Sequence, residues 1–130
     1  MKLLIVDDAK LMRGMIKKAF SDVPDTVILE AENGDNAIEL FDATNPDLVT
    51  MDITMDYKNG VDAAREILAR HPGAKIIMVT ALGQENLLKD CINLGVKDFI
   101  VKPFTRDRIL SAAGKALGRT LTAQPAGHIS

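Results

Sequence analysis

The chain has 130 residues, of which 47% are apolar and 26% charged, as in an ordinary single globular domain. Lys plus Arg number 16 and Asp plus Glu number 18, and the resulting net charge of −2 does not favour nucleic acid or an anionic membrane as a partner. The single cysteine, Cys91, excludes an internal disulfide and a cysteine metal cage. No targeting segment or membrane-length apolar run is visible, so we expect a soluble, cytoplasmic protein.

Five short aliphatic runs are apolar at consecutive positions, as strands are when both faces of a sheet are covered. They alternate with five segments whose apolar residues recur at the helical spacing of three or four. This alternation predicts an α/β domain over 1–118, with a parallel sheet and helices on both faces, followed by a flexible tail at 119–130. In chain order, the predicted elements are a strand at 3–6, a helix around 12–20, a strand at 26–31, a helix around 37–41, a strand at 47–51, a helix around 63–68, a strand at 75–80, a helix around 88–92, a strand at 98–101 and a helix around 109–117.

The helical stripes also predict which side chains are buried. Met15 in the first helix, and Cys91 with Ile92 in the fourth, lie on apolar stripes and are expected in the core. Asn33 precedes the second helix and is expected to cap its N-terminus.

Polar residues follow four of the predicted strands. In an open parallel sheet, ligands bind outside the carboxyl ends of the strands, where the strand order reverses. Residues that are far apart in sequence are therefore expected to converge at one edge of this sheet. The expected members are Asp7, Asp8, Asp52, Thr80, Ala81 and Lys102.

Three of these residues are carboxylates, and their proximity is unfavourable without a cation. Two unit charges about 5 Å apart repel by roughly 3 kcal/mol at an effective dielectric constant near 20. Carboxylate oxygens without histidine or cysteine suit magnesium, with manganese as the alternative. The sequence therefore predicts a Mg²⁺ site.

Asp52 is suited to attack phosphorus. A carboxylate is ionised at neutral pH, needs no general base and can form an aspartyl phosphate. Lys102 and the Thr80 hydroxyl can each bind a phosphate oxygen, and the small Ala81 leaves the approach open. Positioning and charge neutralisation do most of the catalysis in phosphoryl transfer.

The motifs LLIVDD, TMDITM followed by Gly60, VTA and DFIVKPF occur in order over residues 1–118. Together they resemble the response-regulator receiver domains of two-component signalling, most closely the single-domain chemotaxis regulators. The resemblance implies a doubly wound, flavodoxin-like sheet in the order 2-1-3-4-5. It also implies a histidine kinase as phosphodonor and a downstream protein target.

The resemblance assigns roles to the residues of the predicted site. Asp52 would be the phosphoacceptor, and Asp7, Asp8 and the backbone carbonyl of Thr54 would join it as metal ligands. Lys102 would bind the phosphoryl group, and its peptide bond to Pro103 would be cis.

The resemblance also implies a switch. Thr80 would move toward the phosphate on activation, and Phe99 holds the place of an aromatic residue that changes rotamer. The fourth helix, fifth strand and fifth helix would then form the output face. Thr54 and Leu82 occupy positions that tune the lifetime of the phosphate in this family.

The loop after the phosphoacceptor departs from the family pattern Met-Pro-x-Met-x-Gly. Here Met55 is followed by Asp56, and Lys58 replaces the second methionine, although the distance from Asp52 to Gly60 is the usual one. These changes affect the expected rigidity of the loop and the electrostatics near the metal.

Simpler interpretations exist for the individual residues. Asp7 and Asp8 could cap the first helix, Asp52 could be a turn residue, and Thr80 could be a buried strand hydroxyl. Lys102 with Pro103 could end a strand, and Phe99 could be a core side chain. The convergence of the polar residues favours the functional interpretation over these alternatives.

The leading functional hypothesis is a phosphorylation switch that catalyses its own phosphorylation and dephosphorylation but turns over no separate substrate. A second hypothesis is a receiver domain separated from a larger regulator with an output domain. A third is a metal-dependent phosphatase with an aspartyl nucleophile, although Thr54 occupies the position where such enzymes need a second Asp. A flavin-binding protein is disfavoured because clustered carboxylates would repel a flavin phosphate.

Overall fold

A computed structural model of the protein describes residues 1–55, 58–81 and 85–121. Strands and helices alternate through these residues, and a 3₁₀ turn at Glu85–Leu87 precedes the fourth helix. The elements are β1 Lys2–Val6, α1 Lys10–Ala19, β2 Val27–Ala31, α2 Gly34–Thr44, β3 Leu48–Asp52, α3 Gly60–Arg70, β4 Ile76–Ala81, α4 Leu88–Leu94, β5 Asp98–Lys102 and α5 Arg106–Leu117.

The sheet has the strand order β2-β1-β3-β4-β5, and every neighbouring pair is parallel. This confirms the fold that the sequence predicts. Its register aligns Val6 with Met51, and Ala81 with Lys102. The carboxyl ends of β1, β3, β4 and β5 therefore lie along one edge.

Both faces of the sheet are covered, which explains the consecutive apolar residues in its strands. On β1, the adjacent residues Leu3 and Leu4 are fully buried on opposite sides. One core layer lies against α2, α3 and α4, and the other against α1 and α5. The first layer includes Val49, Met51, Ile67, Ile76 and Cys91, and the second includes Ile5, Ile16, Phe20, Ile77 and Ile109.

Two side chains that the helical stripes place in the core are exposed. Met15 is 48% exposed and Ile92 is 59% exposed, so the prediction of their burial is wrong. In α1 the helix is rotated so that Arg13 is buried instead, because acceptors at the ends of β1 and β2 satisfy its charge. The predictions for Cys91 and Asn33 are confirmed, since Cys91 is fully buried and the Asn33 side chain accepts from the backbone N–H of Asn36 at 2.9 Å.

The chain turns back after α5. The backbone N–H of Arg119 donates to the carbonyl of Gly114 at 2.9 Å, and Leu121 packs against the core layer beneath α1 and α5. Arg119 and Leu121 of the predicted tail thus contact the domain, and the prediction for 122–130 concerns residues outside those described. None of the described helices combines the length and apolar character needed to cross a membrane.

Candidate functional site

Three carboxylates meet at the carboxyl edge of the sheet. Asp7 and Asp8 follow β1 and Asp52 is the last residue of β3, and one ligand oxygen from each lies within 4.8 Å of the others. Asp7 and Asp52 are buried, whereas Asp8 is exposed. The cluster therefore has a buried floor and one carboxylate that faces solvent.

Lys102 lies against the floor of this cluster. Its Nζ is 3.1 Å from Oδ1 of Asp52 and 3.2 Å from Oδ2 of Asp7. Lys102 ends β5, and its peptide bond to Pro103 is cis, as the resemblance implies. One ammonium group thus bridges carboxylates from two different strands.

Burial and neighbouring charges shift the pKa values of Asp52 and Lys102. Burial raises the pKa of Asp52 to about 6, the Asp7 charge adds to this rise, and the Lys102 ammonium opposes it only in part. For Lys102, burial alone lowers the pKa, but the combined attraction of Asp52 and Asp7 outweighs it and leaves the pKa above its usual value. Asp52 is therefore a carboxylate whose charged form is incompletely compensated and would be stabilised by a cation.

Asp7 is held at both its main chain and its side chain. Its backbone N–H donates to the carbonyl of Ala31 at 3.1 Å, and its Oδ1 accepts from the backbone N–H of Ala9 at 2.8 Å. The N-cap residue of α1 is Ala9, which forms no side-chain capping bond. Neither Asp7 nor Asp8 is therefore the N-cap residue of α1.

Thr80 and Ala81 lie at the end of β4. Thr80 is fully buried, and its hydroxyl donates to the carbonyl of Ala81 at 3.2 Å. Ala81 is exposed and pairs in register with Lys102. The structure thus brings Thr80 and Ala81 to the edge that carries the carboxylates, as the strand-end pattern predicts.

Gly60 begins α3 where the chain passes behind β3. Its backbone N–H donates to the carbonyl of Ile53 at 2.8 Å, and a Cβ at this position would lie only 1.9 Å from the backbone carbonyl oxygen of Asp52. Only glycine permits this approach. The fixed spacing from Asp52 to Gly60 therefore has a steric reason.

Lys58 joins the loop after β3 to two helices. Its Nζ lies 3.2 Å from Oε1 of Glu66 on α3 and 3.6 Å from Oδ1 of Asp35 on α2. The departure from the family pattern thus replaces a thioether with a cation that has two acidic neighbours. Thr54 in the same loop is exposed, whereas Asp56 and Leu82, also singled out in the sequence, lie outside the described residues.

Phe99 lies on β5, away from the carboxylates. It is half-buried against the core layer of α2, α3 and α4, and its carbonyl accepts from Nη2 of Arg108 at 2.9 Å. Core packing and a switching role are both compatible with this position. The switching role of Phe99 stays a prediction.

Sequence reasoning missed Arg13, whose guanidinium is buried beside the cluster and donates from Nη1 to the carbonyl of Asp7 at 2.7 Å. Its position on an otherwise apolar face of α1 was the available signal.

The oxygen-rich donor set of Asp7, Asp8 and Asp52 fits a hard divalent cation such as Mg²⁺, which retains several water ligands.

The strand order defines a doubly wound α/β protein, and the acidic cluster lies at the topological switch point of its sheet. The family model described as "Response regulator receiver domain" matches residues 3–114. The chain therefore belongs to the response-regulator receiver family of two-component signalling.

Similar proteins include single-domain chemotaxis regulators. The chain is 51% identical over 116 residues to the chemotaxis protein CheY of Listeria monocytogenes, covering 89% of this chain and 98% of the relative. It is 49% identical over 116 residues to CheY of Bacillus subtilis, covering 89% and 97%. Another relative, the transcriptional regulatory protein DegU of Brevibacillus brevis, is 30% identical, and the match covers 85% of this chain but 48% of DegU.

Solved structures share the fold. The receiver domain of NtrX from Brucella abortus superposes with a TM-score of 0.83 at 30% identity, covering 89% of this chain and 98% of that one. The CheX–CheY–BeF₃–Mg²⁺ complex from Borrelia burgdorferi gives a TM-score of 0.79 at 35% identity, covering 86% and 85%.

Proposed function

We propose that this protein is a chemotaxis-type response regulator that accepts a phosphoryl group from a histidine kinase onto Asp52 in a Mg²⁺-dependent reaction. The observation that carries the proposal is the contact of one ammonium, Lys102, with both Asp52 and Asp7 within the acidic cluster. Phosphorylation then changes the affinity of the protein for a downstream partner. The cytoplasm, where such a kinase presents its phosphohistidine, is the proposed location.

In the proposed reaction, a carboxylate oxygen of Asp52 forms a bond to phosphorus while the bond between phosphorus and the donor's histidine nitrogen breaks. The imidazole leaves with the electron pair of that bond. The Lys102 ammonium binds a phosphoryl oxygen and offsets its charge. Mg²⁺, held by Asp7, Asp8, Asp52 and the backbone carbonyl of Thr54, would supply further neutralisation of the transferring group.

Hydrolysis of the acyl phosphate returns the switch to its resting state. Water attacks phosphorus, the bond to the Asp52 oxygen breaks, and inorganic phosphate leaves. The small, exposed Ala81 beside Lys102 leaves this approach open. We assign Thr54 and Leu82 to the control of this rate, as the family resemblance implies.

The proposed switch links phosphorylation of Asp52 to a change at the protein surface. The Thr80 hydroxyl would exchange its bond to the Ala81 carbonyl for one to a phosphoryl oxygen, and Phe99 would change rotamer in response. The output face is assigned to α4, β5 and α5. The Borrelia burgdorferi relative, whose structure is a complex with CheX, supports a protein target.

The surface of α1 offers a docking site for the kinase next to the phosphoacceptor. A shallow groove of about 510 Å³ lies on this helix, which begins two residues after Asp8. Leu11 and Met15 are exposed within the groove, and Lys10 and Lys18 flank them. A kinase helix with an apolar stripe bordered by acidic residues would complement this surface.

The matches cover nearly the whole length of the chemotaxis relatives, which supports the chemotaxis-type proposal, and a receiver that belongs to a larger regulator stays the second hypothesis. The metal-dependent phosphatase with an aspartyl nucleophile is not favoured, because Thr54 has no acidic proton to donate to a leaving group. Rapid turnover of p-nitrophenyl phosphate would favour that enzyme.

The direct test is chemical phosphorylation. Acetyl phosphate with Mg²⁺ should label the wild type and should not label Asp52→Asn. Equal labelling of the two proteins would contradict the assignment.

A cellular assay tests the pathway. Deletion of the gene should abolish expansion in a soft-agar chemotaxis assay, and unchanged expansion would contradict the chemotaxis role.

A further inference from the structure

Arg13 is a buried cation outside the set of proposed ligands. Its side chain is only 9% exposed, although it carries a full charge on α1. Burial of a charge costs free energy unless partners compensate it. Those partners are the Asp7 carbonyl oxygen, 2.7 Å from Nη1, and Oε1 of Glu30, 3.1 Å from Nε.

The two acceptors lie at the carboxyl ends of adjacent strands. Glu30 is on β2, opposite Ile5 of β1, and Asp7 follows β1 directly. The guanidinium therefore crosses from α1 to both strands and ties the start of the helix to the floor of the acidic cluster. The planar fork of arginine can make these two bonds at once, whereas lysine presents a single point charge.

The bond to the Asp7 carbonyl has a geometric consequence for Asp8. The Asp7 carbonyl and the Asp8 N–H belong to one planar peptide unit. Fixing the oxygen of this unit restricts the rotation of the whole plane and, with it, the direction in which the Asp8 side chain leaves the backbone. Asp7 itself is already fixed through its side chain by Ala9 and Lys102, but Asp8 is exposed and depends on its backbone for orientation.

We propose that Arg13 is a positioning residue for the metal site, which orients the Asp7–Asp8 peptide so that the exposed carboxylate of Asp8 points into the cluster. This inference rests on the proposed Mg²⁺ site. Loss of the bond would leave the ligands present but Asp8 rotationally free, so Mg²⁺ affinity would fall while the transfer chemistry at saturating Mg²⁺ would be retained. Changes to groups that orient metal ligands typically weaken metal binding by about 10- to 100-fold.

The test is Mg²⁺ titration by isothermal calorimetry on wild type, Arg13→Met and Lys17→Met, without phosphodonor. Lys17 is the matched control, because it is on the same helix and its Nζ lies 3.9 Å from Oε2 of the same Glu30, but it is 58% exposed. We expect Arg13→Met to raise the Kd for Mg²⁺ by at least about tenfold. The Lys17→Met variant removes the same charge and should stay within about twofold of wild type if peptide orientation, rather than net charge, controls affinity.

A kinetic readout separates positioning from general damage to the fold. For acetyl phosphate labelling, the Mg²⁺ concentration at half-maximal rate should shift with the Kd in Arg13→Met, whereas the rate at saturating Mg²⁺ should change by less than about threefold. Equal losses in both quantities would overturn the positioning role.

The Mg²⁺ titration distinguishes an error in the role of Arg13 from an error in the proposed metal site. If wild type binds Mg²⁺ and a folded Arg13→Met binds it within about twofold, the role of Arg13 is wrong and the site stands. If wild type does not bind Mg²⁺, the site and the inference both fall. Should Arg13→Met not fold, Arg13→Lys takes its place, because it retains the charge; it should bind Mg²⁺ more weakly than wild type, and equal affinity would overturn the role.

Discussion

The Nζ of Lys102 lies 3.1 Å from Oδ1 of Asp52, across 50 residues of sequence and between strands that are not neighbours in the sheet. The strand β4 separates β3 from β5, so the side chains meet over its carboxyl end. This is the position where a small residue, Ala81, follows Thr80. The contact therefore joins the carboxyl ends of β3 and β5 over the end of β4.

Replacement of Lys102 by Met should slow acetyl phosphate labelling of Asp52 by about 10²-fold, because a preorganised positive donor to the transferring oxygens is lost. Quantitative labelling at saturating Mg²⁺ measures the effect. Lys97→Met is the matched control, since Lys97 is exposed and its backbone N–H donates to the carbonyl of Ile76. A Lys102→Met rate close to that of the control would contradict the role given to this ammonium.

Asp52 should destabilise the metal-free protein at neutral pH. Its pKa is raised to about 6 by burial and by Asp7, so the folded state binds the proton more tightly than the unfolded state does. The cost of the charged form is complete above about pH 6 and disappears only below the ordinary pKa of 3.8, where the carboxyl is protonated in both states. Without metal at pH 7.5, Asp52→Asn should unfold with a free energy about 2–3 kcal/mol higher than that of wild type.

Urea unfolding at several pH values measures this difference. It should shrink as the pH is lowered from 7 to 4. A carboxylate stabilised by a salt bridge would give a difference of the opposite sign at neutral pH, with Asp52→Asn the less stable protein. Mg²⁺ should narrow the difference, because it stabilises wild type by about 2.7 kcal/mol at 100 times its Kd and binds the variant more weakly. A variant less stable than wild type without metal would contradict the electrostatic description of the cluster.

Gly60→Ala should displace the backbone next to Asp52 and destabilise the protein. The added methyl group would overlap the Asp52 carbonyl oxygen, a backbone atom, so the start of α3 must shift, at a cost of about 1–3 kcal/mol or more. Gly14→Ala on α1 is the matched control, because no atom lies within 4 Å of its Cβ position and alanine favours helix by about 1 kcal/mol. Chemical denaturation should give changes of opposite sign for the two variants; equal stabilisation by both would refute the close approach.

Leu11→Glu should distinguish phosphorylation by the kinase from phosphorylation by acetyl phosphate. Leu11 is 80% exposed on α1, so the change leaves the core intact but places a charge in the apolar groove. Phosphotransfer from the cognate kinase should slow by at least about tenfold, while labelling by acetyl phosphate should not change. Val27→Glu introduces the same charge at an exposed position at the start of β2 and should leave both rates unchanged. Equal kinase rates for all three proteins would contradict docking on α1.

The sequence predicts the sheet and much of the site because both depend on short-range patterns. Buried parallel strands are apolar at successive positions, and residues at their ends meet at one edge whatever their separation in sequence. Asp7, Asp8, Asp52 and Lys102 could therefore be grouped before any coordinates were known. The predicted burial of Met15 failed because apolar spacing alone does not fix how a helix is rotated on a sheet.

The contacts of charged side chains could not be predicted in the same way. Arg13 is buried because acceptors from two strands meet beneath α1, and that meeting depends on the packing angle of the helix. Lys58 has two acidic neighbours, one on α2 and one on α3, which no local pattern relates. Likewise, the requirement for glycine at position 114 appears only once the chain has turned back, since a Cβ there would lie 2.5 Å from the Arg119 carbonyl oxygen.

Locating the phosphoryl group tests the central claim most directly. After incubation with acetyl phosphate and Mg²⁺, borohydride reduces an aspartyl phosphate to homoserine, which peptide mass spectrometry can place in the sequence. Homoserine is expected at position 52 only when Mg²⁺ is present. Modification at Asp7 or Asp8 instead, or identical labelling of position 52 in excess EDTA, would contradict that claim.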